Sequence, residues 1–155
     1  LAGFDPEIMF FDPMVEKSEI SYAKKESDLK KIFSTCDIIT IHVPLMDKTK
    51  GMINRELLEA MPAHAILVNA ARGGIVDEEA LADVLKNNKI RGAGFDVFAT
   101  EPLDPSNKLK ELSNLVMTPH LGASTEEAQV RVGEMAVSQM NEFFVNNNLL
   151  NEVKA

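Results

Sequence analysis

The sequence predicts an α/β fold of the doubly wound type, in which helices cover both faces of a parallel sheet. Two observations predict it. Five short apolar runs alternate with amphipathic stretches along the 155 residues of the chain. Each run is continuously apolar and rich in branched residues, which is typical of strands that are buried on both faces.

The apolar runs are the predicted strands, and they lie at residues 8–11, 38–43, 65–68, 92–98 and 115–117. Apolar residues at helical spacing predict two helices between them, with the faces Leu29, Ile32, Phe33 and Leu81, Val84, Leu85. Asp77 is placed to cap the second of these helices, which begins at Glu78.

A third and longer helix is predicted from Thr125 onward. Ser124 and Glu127 have the spacing of a capping box at its start. Its apolar residues form one stripe, which we expect to belong to the core: Ala128, Val132, Met135, Ala136, Met140, Phe143 and Phe144.

Composition restricts the class of protein. The net charge of -8 and the lack of a basic cluster argue against nucleic acid as a partner. The apolar runs are too short to span a bilayer, so no membrane partner is expected. The single cysteine, Cys36, has no internal disulfide partner, which fits a reducing compartment. We therefore expect a soluble cytoplasmic domain.

Unusual residues collect where the predicted strands end. In doubly wound folds, ligands bind in the crevice beyond the carboxyl ends of the strands. The residues in or just after these ends are Asp12, His42, Pro44, Arg72, Asp96, Glu101 and His120. Their convergence predicts a ligand site at this edge of the sheet.

Asp12 follows the first strand, where dinucleotide-binding folds place an acid that accepts hydrogen bonds from the ribose hydroxyls. The alternative is an ordinary Asp-Pro turn. The glycine fingerprint of such folds lies about 20 residues before the acid, and too few residues precede Asp12 to hold it. Either the assignment is wrong or the chain lacks the first βα unit with its glycine loop.

Arg72 lies in "VNAARGGIVDEEAL". Its guanidinium matches a carboxylate bidentately and stays charged at any working pH. Gly73 and Gly74 would let the backbone approach a ligand closely. A phosphate loop is a poor alternative because no lysine or hydroxyl follows the glycines. An arginine in a plain strand-to-helix turn remains the other interpretation.

Glu101 and His120 form a candidate acid–base pair, since histidine titrates near neutrality and a carboxylate can hold its tautomer. The alternatives are a solvated Glu-Pro turn and a turn histidine. Asp96 follows a stretch thinned by Gly92 and Gly94, where a carboxylate could accept a hydrogen bond from a carboxamide; it could equally be a turn residue.

His42 and His64 have weaker claims to a functional role. His64 lies in a polar turn before a strand, and His42 could simply pack near a strand end. The three histidines are widely spaced and lack a ligand pattern, so no metal site is expected.

Long ordered motifs resemble one family. The segments "FFDP", "CDIITIHVPLMDKTKGMIN", "LVNAARGGIVDEEALADVLKNNKIRGAGFDVFATEPL" and "NLVMTPHLGAST" resemble the NAD-dependent D-isomer-specific 2-hydroxyacid dehydrogenases over residues 3–147. The resemblance implies a Rossmann-like sheet and NAD as the cofactor. The wording "HLGASTEEAQ" is closest to the 3-phosphoglycerate dehydrogenase branch, which makes 3-phosphoglycerate a candidate substrate.

The resemblance also implies roles for the strand-end residues. Arg72 would bind the carboxylate of a 2-oxo acid, His120 would protonate its carbonyl oxygen while NADH delivers hydride, and Glu101 would support His120. Asp12 would bind the ribose, and Asp96 would face the nicotinamide side. Further cofactor contacts would be Val43, at a position that is often threonine, Ala70, Ala71, Arg72, His120, Leu121, Gly122 and Ala123.

From the same resemblance we expect residues 1–147 to be a partial NAD-binding domain and residues 148–155 a tail toward an absent substrate domain. In the family's sheet the missing strand lies between the strand before Asp12 and the strand before Asn69, which would leave two half-sheets with exposed edges. The chain alone is therefore expected to be inactive, and the full-length protein a homodimer or larger. The alternative function is an NAD-sensing corepressor scaffold of the same fold.

Overall fold

Two parallel sheets form the framework of the protein, whose residues 2–152 are described by a computed structural model. The strands are β1 (Ile8–Phe10), β2 (Ala23–Lys25), β3 (Ile38–Ile41), β4 (Ile66–Asn69), β5 (Gly92–Phe95) and β6 (Leu115–Met117). β1 pairs with β2, and the other four form a sheet in the order β3-β4-β5-β6. All pairings are parallel. The five predicted strands are confirmed, and β2 was not predicted.

The helices are α1 (Leu29–Thr35), α2 (Arg55–Ala60), α3 (Glu78–Lys86) and α4 (Glu126–Asn146), with short 3-10 helices at Ala2–Phe4 and Lys108–Glu111. The predicted cap of α3 is confirmed, because Oδ1 of Asp77 accepts a hydrogen bond from the N–H of Ala80 at 3.0 Å. α2 was not predicted. It begins after Asn54, whose side chain accepts from the N–H of Leu57.

The described residues divide between Pro119 and His120 into two compact units. The first contains both sheets, α1, α2 and α3. Its core includes Leu58, Leu67, Ile75 and Leu81, each fully buried. Burial of one such side chain contributes about 1.5–3 kcal/mol to folding, so this unit has a substantial apolar core.

Burial in the larger sheet is one-sided. Ile39 and Ile41 of β3 are buried and join the same cluster as residues of the helices, whereas Ile38 and Thr40 are exposed. In β4 and β5 every second residue is fully buried and the alternate residues are only partly so. The expectation of strands buried on both faces is therefore wrong for this unit, because its helix residues and one face of the sheet form a single cluster.

The edge of the larger sheet also differs from the prediction. Two separate sheets are present, as expected, but the strand that ends at Asn69 is not at the gap. It is hydrogen-bonded on both sides, since Ile66 is in register with Ile38 and with Gly92. Within residues 2–152, β3 and β6 are the two edge strands of this sheet, so β3 is the strand next to the expected gap.

The second unit contains α4. Thr125, not Ser124, is its N-cap, and Oγ1 of Thr125 accepts from the N–H of Ala128 at 3.1 Å. No residue of α4 is buried, so the expectation that its apolar stripe belongs to a core is wrong. In the described part of this unit, no second helix or strand is available to pack on the stripe. The helix ends at Asn146, and its C-cap, Asn147, has a left-handed backbone.

Candidate functional site at the carboxyl ends of the strands

The loop after β4 is closed by Asn69. This residue is 1% exposed, and both polar atoms of its side-chain amide form hydrogen bonds. Oδ1 accepts from the N–H of Ala71, and Nδ2 donates to the carbonyl of Arg72, each at 3.1 Å. A buried amide is costly unless its polar atoms are paired. The pairing here determines the backbone position of Arg72. Asn69 was not predicted as a site residue.

Gly73 has a different role from the one expected. A Cβ added to it would collide with the carbonyl oxygen of Phe98, so the chain itself occupies the space that a ligand was expected to use. Gly74 has a φ of +78°, in the left-handed region that favours glycine. Both glycines therefore allow the Arg72 loop to turn and to pack on the loop after β5.

Arg72 is exposed beside a shallow depression. Its Nη1 donates to the carbonyl of Ala71 at 2.7 Å. The depression has a volume of about 320 Å³ and is lined by His42, Val43, Pro44, Ala70, Ala71 and Arg72. The ends of β3 and β4 thus converge as the topology predicts. The cofactor contacts of Val43, Ala70, Ala71 and Arg72 stay a prediction.

The wall formed by Pro44 is held by Thr49. This buried residue donates from Oγ1 to the carbonyl of Pro44 at 2.6 Å, and Oγ1 accepts from the N–H of Met46 at 2.8 Å. Thr49 was not predicted as a site residue either. His42 shares a hydrogen bond at 2.9 Å between its Nε2 and Oγ1 of Thr40, so one of its ring nitrogens is already occupied.

Asp96 is held between neighbouring strands. Its N–H donates to the carbonyl of Asn69, and its carboxylate accepts from the hydroxyl of Thr118. Beside it, a Cβ added to Gly94 would meet no atom within 4 Å, whereas one added to Gly92 would lie 2.9 Å from the carbonyl oxygen of Asn114. Space for a flat group therefore exists at Gly94 and not at Gly92.

Glu101 and Glu78 accept hydrogen bonds from adjacent peptide groups. Oε1 of Glu101 accepts from the N–H of Phe98 at 2.8 Å, and Oε1 of Glu78 accepts from the N–H of Ala99 at 2.6 Å. Burial raises the pKa of Glu78, the Ala99 N–H lowers it, and the charge of Glu101 raises it further. The two carboxylates are thus close enough to influence each other.

His120 opens the second unit, with a φ of +56°. That left-handed conformation is uncommon for a residue with a side chain. The next residues lead into α4: Ser124 N–H donates to the carbonyl of Leu121 at 2.9 Å, and Nε2 of Gln129 donates to the carbonyl of Ala123 at 2.6 Å. Its pairing with Glu101, and the cofactor contacts of Leu121, Gly122 and Ala123, stay predictions.

Asp12 follows β1 and makes the turn that was the alternative to a ribose contact. Its Oδ1 accepts from the N–H of Met14 at 2.8 Å. A carboxylate has capacity for further hydrogen bonds, so the turn and the ribose contact are compatible. The ribose contact stays a prediction.

The described residues also bear on two other kinds of feature, a metal site and a membrane-spanning helix. In the part of the chain that the structure describes, no three His, Cys, Asp or Glu side chains are grouped so that they could hold a metal ion. None of the four helices there is long and apolar enough to cross a membrane. His64 pairs instead with Asp37, with Nε2 and Oδ1 2.6 Å apart.

Comparison with known families decides the class. The family described as "D-isomer specific 2-hydroxyacid dehydrogenase, NAD binding domain" matches residues 1–122. The chain belongs to this family. NAD is the cofactor that the domain binds, and the Rossmann-like form of the predicted fold is confirmed by solved relatives.

Individual members of the D-2-hydroxyacid dehydrogenase family are clearly similar to the chain. D-3-phosphoglycerate dehydrogenase of Methanocaldococcus jannaschii is 43% identical over 140 residues, which are 89% of this chain and 26% of that protein. The enzyme of the same name from Haemophilus influenzae is 36% identical over 151 residues, with 95% and 37% covered. The chain therefore spans well under half the length of these relatives.

A solved structure is similar over nearly the whole chain. It is the NADPH-dependent glyoxylate/hydroxypyruvate reductase of Sinorhizobium meliloti in complex with NADP and malonate. The TM-score is 0.88 at 26% identity, with 98% of this chain and 47% of that chain covered.

The strand-end residues of this D-2-hydroxyacid dehydrogenase domain suit a dinucleotide chemically. The carboxylates of Asp12 and Asp96 are of a type that can accept hydrogen bonds from hydroxyl and amide groups. The open space at Gly94 would admit a flat ring.

Proposed function

We propose that the chain supplies the carboxylate-binding and acid–base residues of a dehydrogenase that interconverts a D-2-hydroxy acid and a 2-oxo acid. The observation that carries the proposal is Arg72, presented beside the depression of Val43, Ala70 and Ala71 on a loop closed by Asn69. When bound, NAD(H) accepts or supplies the hydride. The protein contributes binding, orientation and proton transfer.

Arg72 is the proposed substrate clamp. Its guanidinium offers two parallel N–H groups to the α-carboxylate. Because its backbone is held by the Asn69 amide, the side chain starts from a well-defined position. Holding the substrate in a reactive orientation can contribute several kcal/mol to lowering the barrier.

His120 is the proposed proton donor to the carbonyl oxygen during reduction, and the base in the reverse direction. An imidazole is suited to both because it titrates near neutrality. Glu101 is the proposed carboxylate that holds the tautomer of His120. In this proposal Asp12 and Asp96 bind the ribose and the carboxamide, and the segments Ala70–Arg72 and His120–Ala123 complete the cofactor contacts.

3-Phosphoglycerate is the proposed substrate, on the strength of the curated relatives that carry its name. We further propose that residues 1–147 form a partial NAD-binding domain, that residues 148–155 lead to a separate substrate domain, and that the functional assembly is a homodimer or larger. Residues 153–155 of that tail lie outside the described residues. In this proposal the 155-residue chain has no turnover by itself.

A chimera tests the proposal. The aligned segment of Methanocaldococcus jannaschii D-3-phosphoglycerate dehydrogenase is replaced by this chain, and NADH oxidation is followed with 3-phosphohydroxypyruvate and other 2-oxo acids. We expect saturable turnover that His120→Ala reduces by roughly a hundredfold or more. Arg72→Lys should raise KM for the oxo acid most, because the bidentate contact is lost.

Two outcomes would contradict the proposal. One is a folded chimera that binds NADH, by fluorescence titration, but shows no turnover with any oxo acid, which favours the scaffold function. The other is turnover that survives His120→Ala. The unfused chain serves as the control, and turnover by it would disprove the proposed need for a further domain.

A further inference from the structure

Glu78 links α3 to the loop that carries Glu101. It is the first residue of α3, directly after the N-cap Asp77. Its Oε1 accepts a hydrogen bond from the N–H of Ala99 at 2.6 Å, across 21 residues of chain. The carboxylate is half-buried, so this hydrogen bond is partly shielded from water.

The loop after β5 is held at three points by residues 69–78, which run from the end of β4 to the first residue of α3. First, the N–H of Asp96 donates a hydrogen bond to the carbonyl of Asn69. Second, the carbonyl of Phe98 packs closely on Gly73. Third, the N–H of Ala99 donates a hydrogen bond to Glu78. The first two contacts involve backbone atoms on both sides. The third is the one made by an ionisable side chain, and a substitution can therefore remove it alone.

The Glu78 contact lies next to the one that orients Glu101. Oε1 of Glu101 accepts from the N–H of Phe98, and Oε1 of Glu78 accepts from the N–H of the following residue, Ala99. Consecutive peptide planes share a Cα atom, so rotation of one peptide group moves the next. If the Ala99 amide is released, the Phe98 amide and the Glu101 carboxylate lose their fixed position.

We propose that Glu78 is a positioning residue: its hydrogen bond to Ala99 holds the backbone that places the Glu101 carboxylate. This inference rests on the proposed function, in which Glu101 supports the acid–base histidine. The mutual influence of the two carboxylates on the pKa of Glu78 agrees with their closeness.

Amide exchange in the 155-residue chain tests the contact without any assay of activity. In Glu78→Ala, the amide protons of Ala99 and Phe98 should exchange at least tenfold faster than in the unsubstituted chain. Glu78→Gln, which retains an acceptor oxygen, should restore most of the protection. Glu79→Ala removes the neighbouring exposed carboxylate and is the matched control, with no change expected. Unchanged exchange of both amides in Glu78→Ala would overturn the proposal.

Kinetics of the chimera test the consequence. Glu78→Ala should lower kcat roughly tenfold to a hundredfold, because misplacing an active-site group by about 1 Å has an effect of this size. KM for the oxo acid should be nearly unchanged, since Arg72 binds it. Glu78→Gln should recover most of kcat, and Glu79→Ala should leave the kinetics unchanged. A purely structural role would lower the melting temperature and spare kcat per folded enzyme.

The outcomes separate this inference from the proposed function. An active chimera in which Glu78→Ala has unaltered kcat overturns the inference and leaves the function intact. An inactive but folded chimera contradicts the proposed function. Amide exchange then tests by itself whether Glu78 holds the Ala99 backbone. If Glu78→Ala does not fold, Glu78→Asp, with a side chain one methylene shorter, decides in the same two measurements.

Discussion

The Arg72 loop and helix α4 show opposite relations between sequence and packing. Within the loop and its flanks, Asn69, Ile75 and Val76 are at most 3% exposed. In α4 no residue is buried, and Phe144 is 74% exposed although it belongs to an apolar stripe. The loop therefore obtains its geometry from contacts within the first unit, whereas an apolar pattern in α4 does not by itself create a core. Substitutions should have large effects in the first region and small ones in the second.

The largest effect is expected at the core beside the loop. Leu81 of α3 is fully buried, and Leu81→Ala should lower the free energy of unfolding by about 2–5 kcal/mol through lost burial and a cavity. Urea unfolding followed by circular dichroism measures it. Leu149→Ala is the matched control, since Leu149 is exposed. Equal losses at Leu81 and Leu149 would contradict the expectation that substitutions have larger effects in the core of the first unit.

Gly73→Ala should come next. Its new methyl group would collide with the carbonyl oxygen of Phe98, so one loop must move, at a cost of about 1–3 kcal/mol. Gly94→Ala is the control, because its methyl group would meet nothing within 4 Å. The same unfolding measurement applies. If Gly73→Ala is as stable as Gly94→Ala, the two loops are not in close contact in solution.

A smaller, pH-dependent effect is expected at Glu78. Burial raises the pKa of its carboxyl above the ordinary 4.5, so the folded chain holds the proton more tightly than the unfolded chain does. Protonated Glu78 therefore favours folding, and this advantage is lost as the pH rises above 4.5 through the raised pKa. Glu78→Gln keeps a neutral side chain throughout.

The melting temperature of Glu78→Gln relative to the unsubstituted chain should therefore be more favourable at about pH 7 than at about pH 3.5. Differential scanning calorimetry at both pH values measures the change. A relative gain that is larger at the acidic pH would reverse the sign and refute the assignment of burial as the main cause.

The smallest effect is expected in α4. Phe144→Ser should change the free energy of unfolding by less than about 0.5 kcal/mol, as is usual for exposed positions. A loss above about 2 kcal/mol, the range of large buried side chains, would mean that the stripe packs on something in solution. That result would show that the apolar stripe of α4 is buried in solution.

Much of the fold could be predicted because apolar runs locate buried strands. β2 escaped prediction since Ala23–Lys25 contains two lysines and pairs with β1 through its backbone. α2 is only six residues long, too short for periodicity, although Asn54 before Leu57 and Leu58 is a local signal of a capped helix. Short elements depend on tertiary context more than on pattern.

The site was only partly predictable for a similar reason. The rule of strand ends led to Arg72 and Asp96, whose positions follow from topology. Glu78 has no such signal, because its partner is a backbone N–H 21 residues away. Asn69 could have been found as a polar residue that ends a buried strand. Contacts to the backbone leave little trace in the amino-acid pattern.

The order of the larger sheet has a consequence for how the chain folds. β3, β4 and β5 each pair with the strand that follows them in the chain. Every pairing therefore closes a short segment of chain. The entropic cost of closing a loop grows with its length, so this cost is small here. The sheet can form by adding one strand at a time as the chain leaves the ribosome, so β3 and β4 can already be paired before the residues that hold Glu101 are made.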